Sequence, residues 1–176
     1  LKVPVRWSDM SFGFCSEKSG LYYAGTNLNG FFAQRRNLVN PAFYRLTAAI
    51  VRFCKTARKD LAAGTIEGRT LGEYLALRHI PETAVRNYII PMGAAIWSAT
   101  QADMMGFPAE TLIRFWNNHG LLALSDRPRW QTVAGGSQSY VKAIRKDFTG
   151  EVMLNARIRA VRRTPKQAVI VMQDGT

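Results

Sequence analysis

The sequence is poor in the residues that build metal centres and many catalytic sites. Its 176 residues include two cysteines and two histidines. Cys15 and Cys54 have no C-x-x-C or other metal-binding spacing, so we expect two reduced, buried thiols and no zinc site. His79 and His119 form no H-E-x-x-H pattern. Because His119 falls on the apolar stripe of a predicted helix, we interpret it as a core residue in preference to a catalytic base.

Long apolar runs and phosphate-binding loops are missing as well. No run reaches the ~18 apolar residues that a membrane span needs, and no signal peptide opens the sequence. The chain contains no G-x-G-x-x-G or G-x-x-x-x-G-K-[ST] loop, and no serine, cysteine or threonine lies in a nucleophile elbow. These absences argue against a dinucleotide fingerprint or a hydrolase nucleophile within these residues. We expect a cytoplasmic location.

Acidic residues are half as numerous as basic ones. Twelve aspartates and glutamates face twenty-four lysines and arginines, which gives a net charge of +12. The basic residues are dispersed along the chain, and this favours a solvated surface over a dedicated binding stripe. An anionic partner stays open as the alternative. An anionic membrane surface fits the charge as well as nucleic acid does, and it would place the protein peripherally at the inner membrane face. Nucleic acid is the less favoured partner.

The spacing of apolar residues predicts a helix-rich middle. Asn40-Pro41 is typical of a helix start, and apolar residues then recur every three or four positions to about Ala63. Thr70 and Glu73 match a capping box, which predicts a short helix to Leu77 or Arg78. A further helix is predicted to begin at Pro81, with an interruption at Pro91, and another to begin at Pro108 and stop at Gly120. The last predicted helix runs from about Ser137 to Phe148, and its apolar residues are expected to face inward: Tyr140, Val141, Ile144 and Phe148.

Strand patterns occupy both ends of the chain. Ser11–Ser16 and Leu21–Ala24 predict a hairpin, with Gly20 at the position of the turn that needs a positive φ. Three further strands are predicted at Val152–Leu154, Ile158–Arg163 and Ala168–Met172. The fold class is therefore α+β, a helix-rich piece with short antiparallel strands at both ends. Truncated sheets expose strand edges, so a homodimer formed through such edges is a further expectation.

Aromatic residues are concentrated in the most apolar part of the chain. The set consists of Trp97, Phe107, Phe115, Trp116 and Trp130. We interpret it first as core packing and, as an alternative, as the lining of a cavity for a hydrophobic ligand. The segment Arg127-Pro128-Arg129-Trp130 places cations beside an indole, which suits an anionic or aromatic ligand as well as it suits an ordinary surface.

A double glycine precedes the last predicted helix. Gly135-Gly136 lets the backbone pass close to a neighbouring strand or a bound cofactor, and the exposed amides of the following helix favour an anion. The helix is followed by strand segments and then by Asp174-Gly175-Thr176, a turn signal with no strand after it. Together with Leu1 in place of an initiator methionine, this predicts an internal piece of a larger protein.

That order, and several further motifs, resemble a bacterial family of predicted NAD/FAD-binding, flavin amine oxidase-like proteins within the amine oxidase and phytoene desaturase superfamily. The motifs are Ser8–Phe12, Gly25–Leu38, Pro91–Ser98 and Asn118–Leu122. The resemblance covers nearly the whole chain. It implies a larger, two-domain FAD oxidoreductase, in which residues 1–150 are the substrate-binding domain and residues 151–176 are the return strands of a truncated FAD-binding domain.

The resemblance also implies roles for individual residues. Ile158 would contact the adenine end of FAD through its backbone, and Gly135 and Gly136 would lie near the junction with the cofactor domain. The substrate cavity would be lined by Met92, Ile96, Trp97, Leu122, Arg129 and Trp130. Catalytic residues are not assigned, and no metal is implied.

The expected function is that of a substrate-binding fragment of an FAD-dependent oxidoreductase. The intact protein would act on a hydrophobic or lipid-like substrate by hydride transfer to flavin. The fragment alone would be inactive and would bind FAD weakly or not at all. The alternative is a non-catalytic module that binds a hydrophobic ligand or an anionic membrane surface.

Overall fold

A computed structural model describes residues 2–8, 12–25, 27–123 and 128–174. Several residues that the sequence predictions use lie outside these ranges: Leu1, Asp9–Ser11, Thr26, Arg127, and Gly175-Thr176 of the turn signal. The helices are α1 (Leu28–Phe31), α2 (Pro41–Ala62), α3 (Leu71–Leu77), α4 (Glu82–Ala84), α5 (Ile90–Trp97), α6 (Gln101–Gly106), α7 (Ala109–Asn118) and α8 (Gln138–Asp147). The strands are β1 (Val5–Ser8), β2 (Gly13–Ser16), β3 (Leu21–Ala24), β4 (Trp130–Val133), β5 (Ile158–Arg163) and β6 (Ala168–Met172).

The chain divides into two compact units. The first, here the helical unit, runs from Trp7 to Thr132, and the second, the terminal unit, joins the residues up to Arg6 to those from Val133 onward. Strand β1 pairs with β4, and the boundary between the units falls within these two strands. The family resemblance implies another division, near Gly150, between a substrate-binding domain and an FAD-binding domain. That division stays a prediction.

Helix α2 is the central element of the helical unit. The side chain of Asn40 accepts a hydrogen bond from the amide of Ala42 at 3.0 Å, and Pro41 occupies the first turn, as predicted. The apolar stripe of the helix is buried, and Phe53 at its centre is fully covered. Helix α7 packs against α2. The indole of Trp116 meets the Phe53 ring edge-on at 6.0 Å, so these two helices meet within the core.

The segment from Glu82 to Trp97 differs from its prediction, because Pro91 does not interrupt it. Helices α4 and α5 are joined by a π-helical stretch, Val85–Ile89, into one continuous helical segment. Proline lacks the amide that would pair with the carbonyl of Asn87 in an α-helix. The hydroxyl of Tyr23 donates a hydrogen bond to that carbonyl at 2.7 Å. A partner from the distant hairpin therefore replaces the missing helical bond.

Two capping boxes fix the starts of α3 and α6. At α3 the backbone of Thr70 donates to the Glu73 carboxylate at 2.8 Å, and the Thr70 side chain accepts from the Glu73 amide, which confirms the predicted box. Helix α6 was not predicted. Thr100 and Asp103 form an equivalent box at its start, so the T-x-x-D spacing was the signal that could have revealed it.

The N-terminal hairpin has the predicted form. Strands β2 and β3 pair antiparallel with Ser16 opposite Leu21, and Gly20 adopts a φ of +63° in the turn. The buried side chain of Gln34 donates to the carbonyl of Gly20 at 2.7 Å and accepts from the amide of Tyr22 at 3.2 Å. The side-chain amide of Gln34 therefore fixes the turn against the rest of the helical unit.

The terminal unit contains α8 and the antiparallel ribbon of β5 and β6. The ribbon confirms two predicted strands, whereas the third, Val152–Leu154, is wrong because these residues lie in an irregular and turn-forming segment. Helix α8 was expected to direct an apolar face inward. Its apolar side chains are exposed instead, because β5 and β6 do not pack along it.

The mixture of helices and short strands confirms the α+β fold class. Cys54 is buried as expected, but Cys15 is exposed on the hairpin, so the prediction of two buried thiols is wrong for Cys15. Among the described residues, no helix has both the length and the apolar character required to cross a bilayer.

Candidate functional site

Five ring side chains form a continuous series in the helical unit, here called the aromatic row. They are Phe107, Trp97, Phe115, His119 and Trp130, in spatial order. Trp97 lies 5.0 Å from both Phe107 and Phe115, measured between ring centroids. The imidazole of His119 stacks on Phe115 at 3.9 Å and lies 5.7 Å from Trp130, nearly parallel to both rings. All five side chains are half-buried, so the row borders solvent along its length.

Three structural elements position the aromatic row. Trp97 is the last residue of α5, and the helix ends there because Ser98 adopts the left-handed conformation with a φ of +51°. Phe115 and His119 are one helical turn apart at the end of α7, so their rings lie on the same face. Trp130 is the first residue of β4.

A backbone hydrogen bond holds the imidazole of His119 in place. Its Nδ1 lies 2.8 Å from the carbonyl oxygen of Phe115, and a carbonyl can only accept, so Nδ1 carries the proton. In the neutral ring, Nε2 is then the acceptor. The apolar stripe of α7 predicts a satisfied core residue at His119. Its ring is indeed satisfied at Nδ1, but it is half-buried within the aromatic row instead of lying in the core.

The return of the chain toward α7 depends on Gly120. This glycine has a φ of +68°, and a Cβ atom placed on it would lie 2.3 Å from Cδ of Pro128. The close approach of Pro128 brings Arg129 and Trp130 to the end of α7. The guanidinium carbon of Arg129 lies 4.4 Å from the ring centroid of Trp7, a cation–π arrangement. Because Arg129 itself is exposed, a cation stands beside the Trp130 end of the row.

The structure separates the residues predicted to line a substrate cavity. Trp97 and Trp130 lie in the aromatic row, Ile96 is half-buried beside Trp97 in sequence, and Arg129 is exposed. Met92 and Leu122 are buried, with 5% and 1% of their surface accessible, and belong to the hydrophobic core. Trp116 is fully buried as well, which confirms the core interpretation for that member of the predicted aromatic set. His119 was not among the residues predicted to contact a ligand.

Gly93, in the same segment, serves helix packing. A Cβ atom on Gly93 would lie 2.5 Å from Cε of Met104 and 3.6 Å from Cδ1 of Leu112. The glycine therefore permits the close approach of α5 to side chains of α6 and α7. This close packing explains why residue 93 is a glycine, and no bound ligand is needed to explain it.

The glycines predicted to lie near a cofactor form a turn at the start of α8. Gly135 and Gly136 have φ values of +79° and +80°. A Cβ atom on Gly135 would lie 2.9 Å from Oγ of Ser139, which donates to the carbonyl of Ala134, and one on Gly136 would meet no atom within 4 Å. Among the described residues, nothing closes around this turn as a phosphate cradle would. Its backbone conformation explains the two glycines.

Ile158 occupies the first position of β5, opposite Met172 of β6. Its side chain is 51% exposed. The sheet has two strands, so each strand keeps one backbone edge without a strand partner in the described chain. That edge is compatible with the backbone contact to adenine implied by the resemblance. Ile158, Gly135 and Gly136 do not by themselves form a flavin site, and their cofactor role stays a prediction.

Several ionisable groups with shifted pKa values have structural roles. Burial raises the pKa of the Tyr23 hydroxyl, and burial together with the neighbouring Asp60 raises that of Tyr74. Hydrogen bonds from Thr70 and Thr100 lower the pKa of the capping carboxylates of Glu73 and Asp103. These four groups stabilise helix starts and the core. None of these four groups belongs to the aromatic row, whose side chains offer apolar contacts and hydrogen bonds.

Comparison of the chain with protein-family models, with curated proteins and with solved structures gives no match.

Proposed function

We propose that this chain is the substrate-binding portion of an FAD-dependent oxidoreductase of the amine oxidase-like superfamily, and that it binds a hydrophobic, lipid-like substrate along the aromatic row. The observation that carries the proposal is the row itself. Five half-buried rings that follow one another in space offer an extended apolar surface, which suits a long hydrocarbon chain better than a small amine.

The Trp130 end of the row supplies the polar contacts for such a substrate. Arg129 is exposed there, and a guanidinium binds carboxylate or phosphate oxygens in a planar, bidentate manner. His119 offers Nε2 as an acceptor for a hydroxyl group of the substrate. An amphiphile with an anionic head at Arg129 and a hydrocarbon tail along the rings would satisfy both sets of groups.

The redox step would belong to the flavin, which accepts a hydride from the bound substrate when FAD is present. Within this chain, Ile158 would contribute a strand edge to the cofactor, and Gly135-Gly136 would connect the substrate-binding portion to the cofactor-binding portion. The remaining contacts to FAD would come from other residues of the intact protein. The 176-residue chain should therefore bind FAD weakly or not at all.

Binding of a long-chain fatty acid tests the proposed substrate surface. Oleate should quench or shift the tryptophan fluorescence of the chain, and Trp130→Ala should weaken oleate binding by about tenfold, since a large aromatic contact of ~1–2 kcal/mol is lost. Leu77→Ala, at an exposed position far from Trp130 in the sequence, is the control and should leave the affinity for oleate unchanged. Equal affinities for Trp130→Ala and the parent chain would contradict the proposed surface.

Spectroscopy on the protein encoded by the complete gene tests the redox assignment. The purified protein should show flavin absorbance, or acquire it when FAD is added, and a long-chain substrate should bleach that absorbance in the absence of oxygen. A protein that neither contains FAD nor can be loaded with it would exclude the oxidoreductase. Tight, stoichiometric FAD binding by residues 1–176 alone would contradict the division of the cofactor site.

A further inference from the structure

The terminal unit has an apolar surface with no core behind it. Tyr140, Val141 and Ile144 on α8 are 40%, 51% and 48% exposed, and Phe148, at the end of the helix, is 53% exposed. Their spacing of three and four residues places them on one face of the helix. Among the described residues of the terminal unit, none is buried.

Helix α8 lacks support from the rest of the terminal unit. It spans ten residues, and it makes no extended contact with β5 or β6. Isolated helices of this length are marginal in water, because the cost of nucleation is not recovered over so few hydrogen bonds. Helix α8 therefore needs an apolar surface to cover its exposed face.

A second group of apolar side chains follows α8 directly. Val152, Met153 and Leu154 are consecutive and are 45%, 63% and 69% exposed. Val152 and Met153 lie outside regular secondary structure and Leu154 lies in a turn, so their side chains do not pack on the face of a sheet. We call these three residues and the four of the α8 face the apolar patch.

The terminal unit also carries an excess of positive charge. Residues 133–174 include eight lysines and arginines and three aspartates and glutamates. On α8 itself, Lys142, Arg145 and Lys146 occupy the surface outside the apolar face. Three ion pairs, Arg78–Asp60, Arg86–Glu82 and Arg114–Glu110, lie in the helical unit. None of these three pairs uses a cation of α8.

These observations point to an anionic lipid bilayer as the occupant of the apolar patch. A basic amphipathic helix lies in the headgroup region with its apolar face toward the acyl chains and its lysines and arginines near the lipid phosphates. Val152–Leu154 would insert beside it. A second copy of the chain would bring a second positive surface against the first, and like charges oppose that association. This inference does not use the proposed redox step. Because the apolar patch lies between Gly136 and Ile158, a cofactor-binding portion that covers the patch in the intact protein, and so abolishes vesicle binding there, would overturn it.

Vesicle co-sedimentation of the full 176-residue chain tests the inference. The chain should bind vesicles of phosphatidylcholine mixed with phosphatidylglycerol about tenfold or more strongly than vesicles of phosphatidylcholine alone, and added salt should weaken the binding. The combined substitution Lys142→Gln, Arg145→Gln and Lys146→Gln should lower the partition coefficient roughly a hundredfold. Ile144→Asp should lower it by about tenfold or more, because the apolar contact is lost.

A charge-matched variant separates the apolar patch from net charge. Lys55→Gln, Arg58→Gln and Lys59→Gln remove three exposed cations from α2 and should leave vesicle binding nearly unchanged. The helical circular dichroism signal should rise with anionic vesicles in the parent chain and not in Ile144→Asp, as α8 becomes ordered on the membrane. Because the substituted residues are exposed, each variant should keep the circular dichroism spectrum of the parent chain in the absence of vesicles, and the tryptophan signal confirms that its helical unit is folded.

Three results with the 176-residue chain would also overturn the inference. The first is equal binding to neutral and anionic vesicles, or no binding to either. The second is a loss of binding in the α2 variant as large as in the α8 variant. The third is a parent chain that is dimeric in solution and becomes monomeric with Ile144→Asp, because the apolar patch would then be an interface between copies.

Discussion

Asp60 is a charged side chain placed almost entirely in the core of the helical unit, with 6% of its surface exposed. Its carboxylate receives two hydrogen bonds from Arg78, at 2.7 and 2.8 Å, and one from the hydroxyl of Tyr74 at 2.8 Å. This arrangement joins the end of α2 to the end of α3. A bidentate pair with a third donor meets the condition under which a buried charge is tolerated.

We expect Asp60→Asn to destabilise the chain substantially, because the amide keeps the volume but leaves the Arg78 guanidinium without an anion. The free energy of unfolding should fall by about 2–3 kcal/mol, below the value for a fully buried pair because Arg78 is one-third exposed. Urea denaturation followed by circular dichroism measures this change. Glu82→Gln, which breaks an exposed pair with Arg86, is the control and should cost less than about 1 kcal/mol. Similar losses in the two variants would contradict this role for Asp60.

At the scale of elements, the hydroxyl of Tyr23 connects the β2–β3 hairpin to the helical segment that contains Pro91. Tyr23→Phe should leave the carbonyl of Asn87 without its partner and lower the free energy of unfolding by about 1–3 kcal/mol. Burial raises the pKa of Tyr23 above its ordinary value of 10.0, so the neutral form contributes stability that is complete below that pH and is lost as the pH rises further. The variant should accordingly lose less stability than the parent between pH 9 and 11. Identical alkaline profiles, measured by denaturation in each buffer, would show that Tyr23 is not the group responsible.

The elements that the sequence predicts well are those whose signals are local. Asn40-Pro41 and the apolar spacing after it determine α2, and Thr70 with Glu73 determines the start of α3. The continuous segment through Pro91 could not be predicted in this way, because its compensating hydrogen bond comes from Tyr23, 64 residues away. For α8, the spacing identified the apolar face, but amphipathicity does not say what covers that face.

The candidate site was predictable only in part for the same reason. Trp97 and Trp130 were expected near a ligand, and both lie in the aromatic row. Met92 and Leu122 are equally apolar in sequence, yet they are core residues. Nothing in composition distinguishes a half-buried ring from a buried one. His119 stacks on Phe115 because the two are four residues apart, a local signal that the sequence offered. Trp130 joins the row because the chain crosses back at Pro128, a contact that depends on the positive φ of Gly120 and not on any local motif.

At the scale of the whole molecule, the two units have different sources of stability. The helical unit contains the hydrophobic core, with Phe53, Trp116 and Leu112 fully buried, whereas no described residue of the terminal unit is buried. Burial of apolar surface is the main favourable term in folding, so the two units should not unfold with the same free energy. The terminal unit should open locally while the helical unit stays folded.

Hydrogen exchange followed by mass spectrometry measures this difference directly. Amides of α2 and α7 should exchange slowly, with protection that approaches the global free energy of unfolding, and amides of α8 should exchange on the fastest timescale of the described helices. Anionic vesicles should slow exchange in α8 without changing α2, since they bind only one unit. Slow exchange of α8 in the isolated chain would require a packing partner that its exposed face lacks. Uniform protection across both units would therefore contradict the division of stability as well as the need of α8 for an external surface.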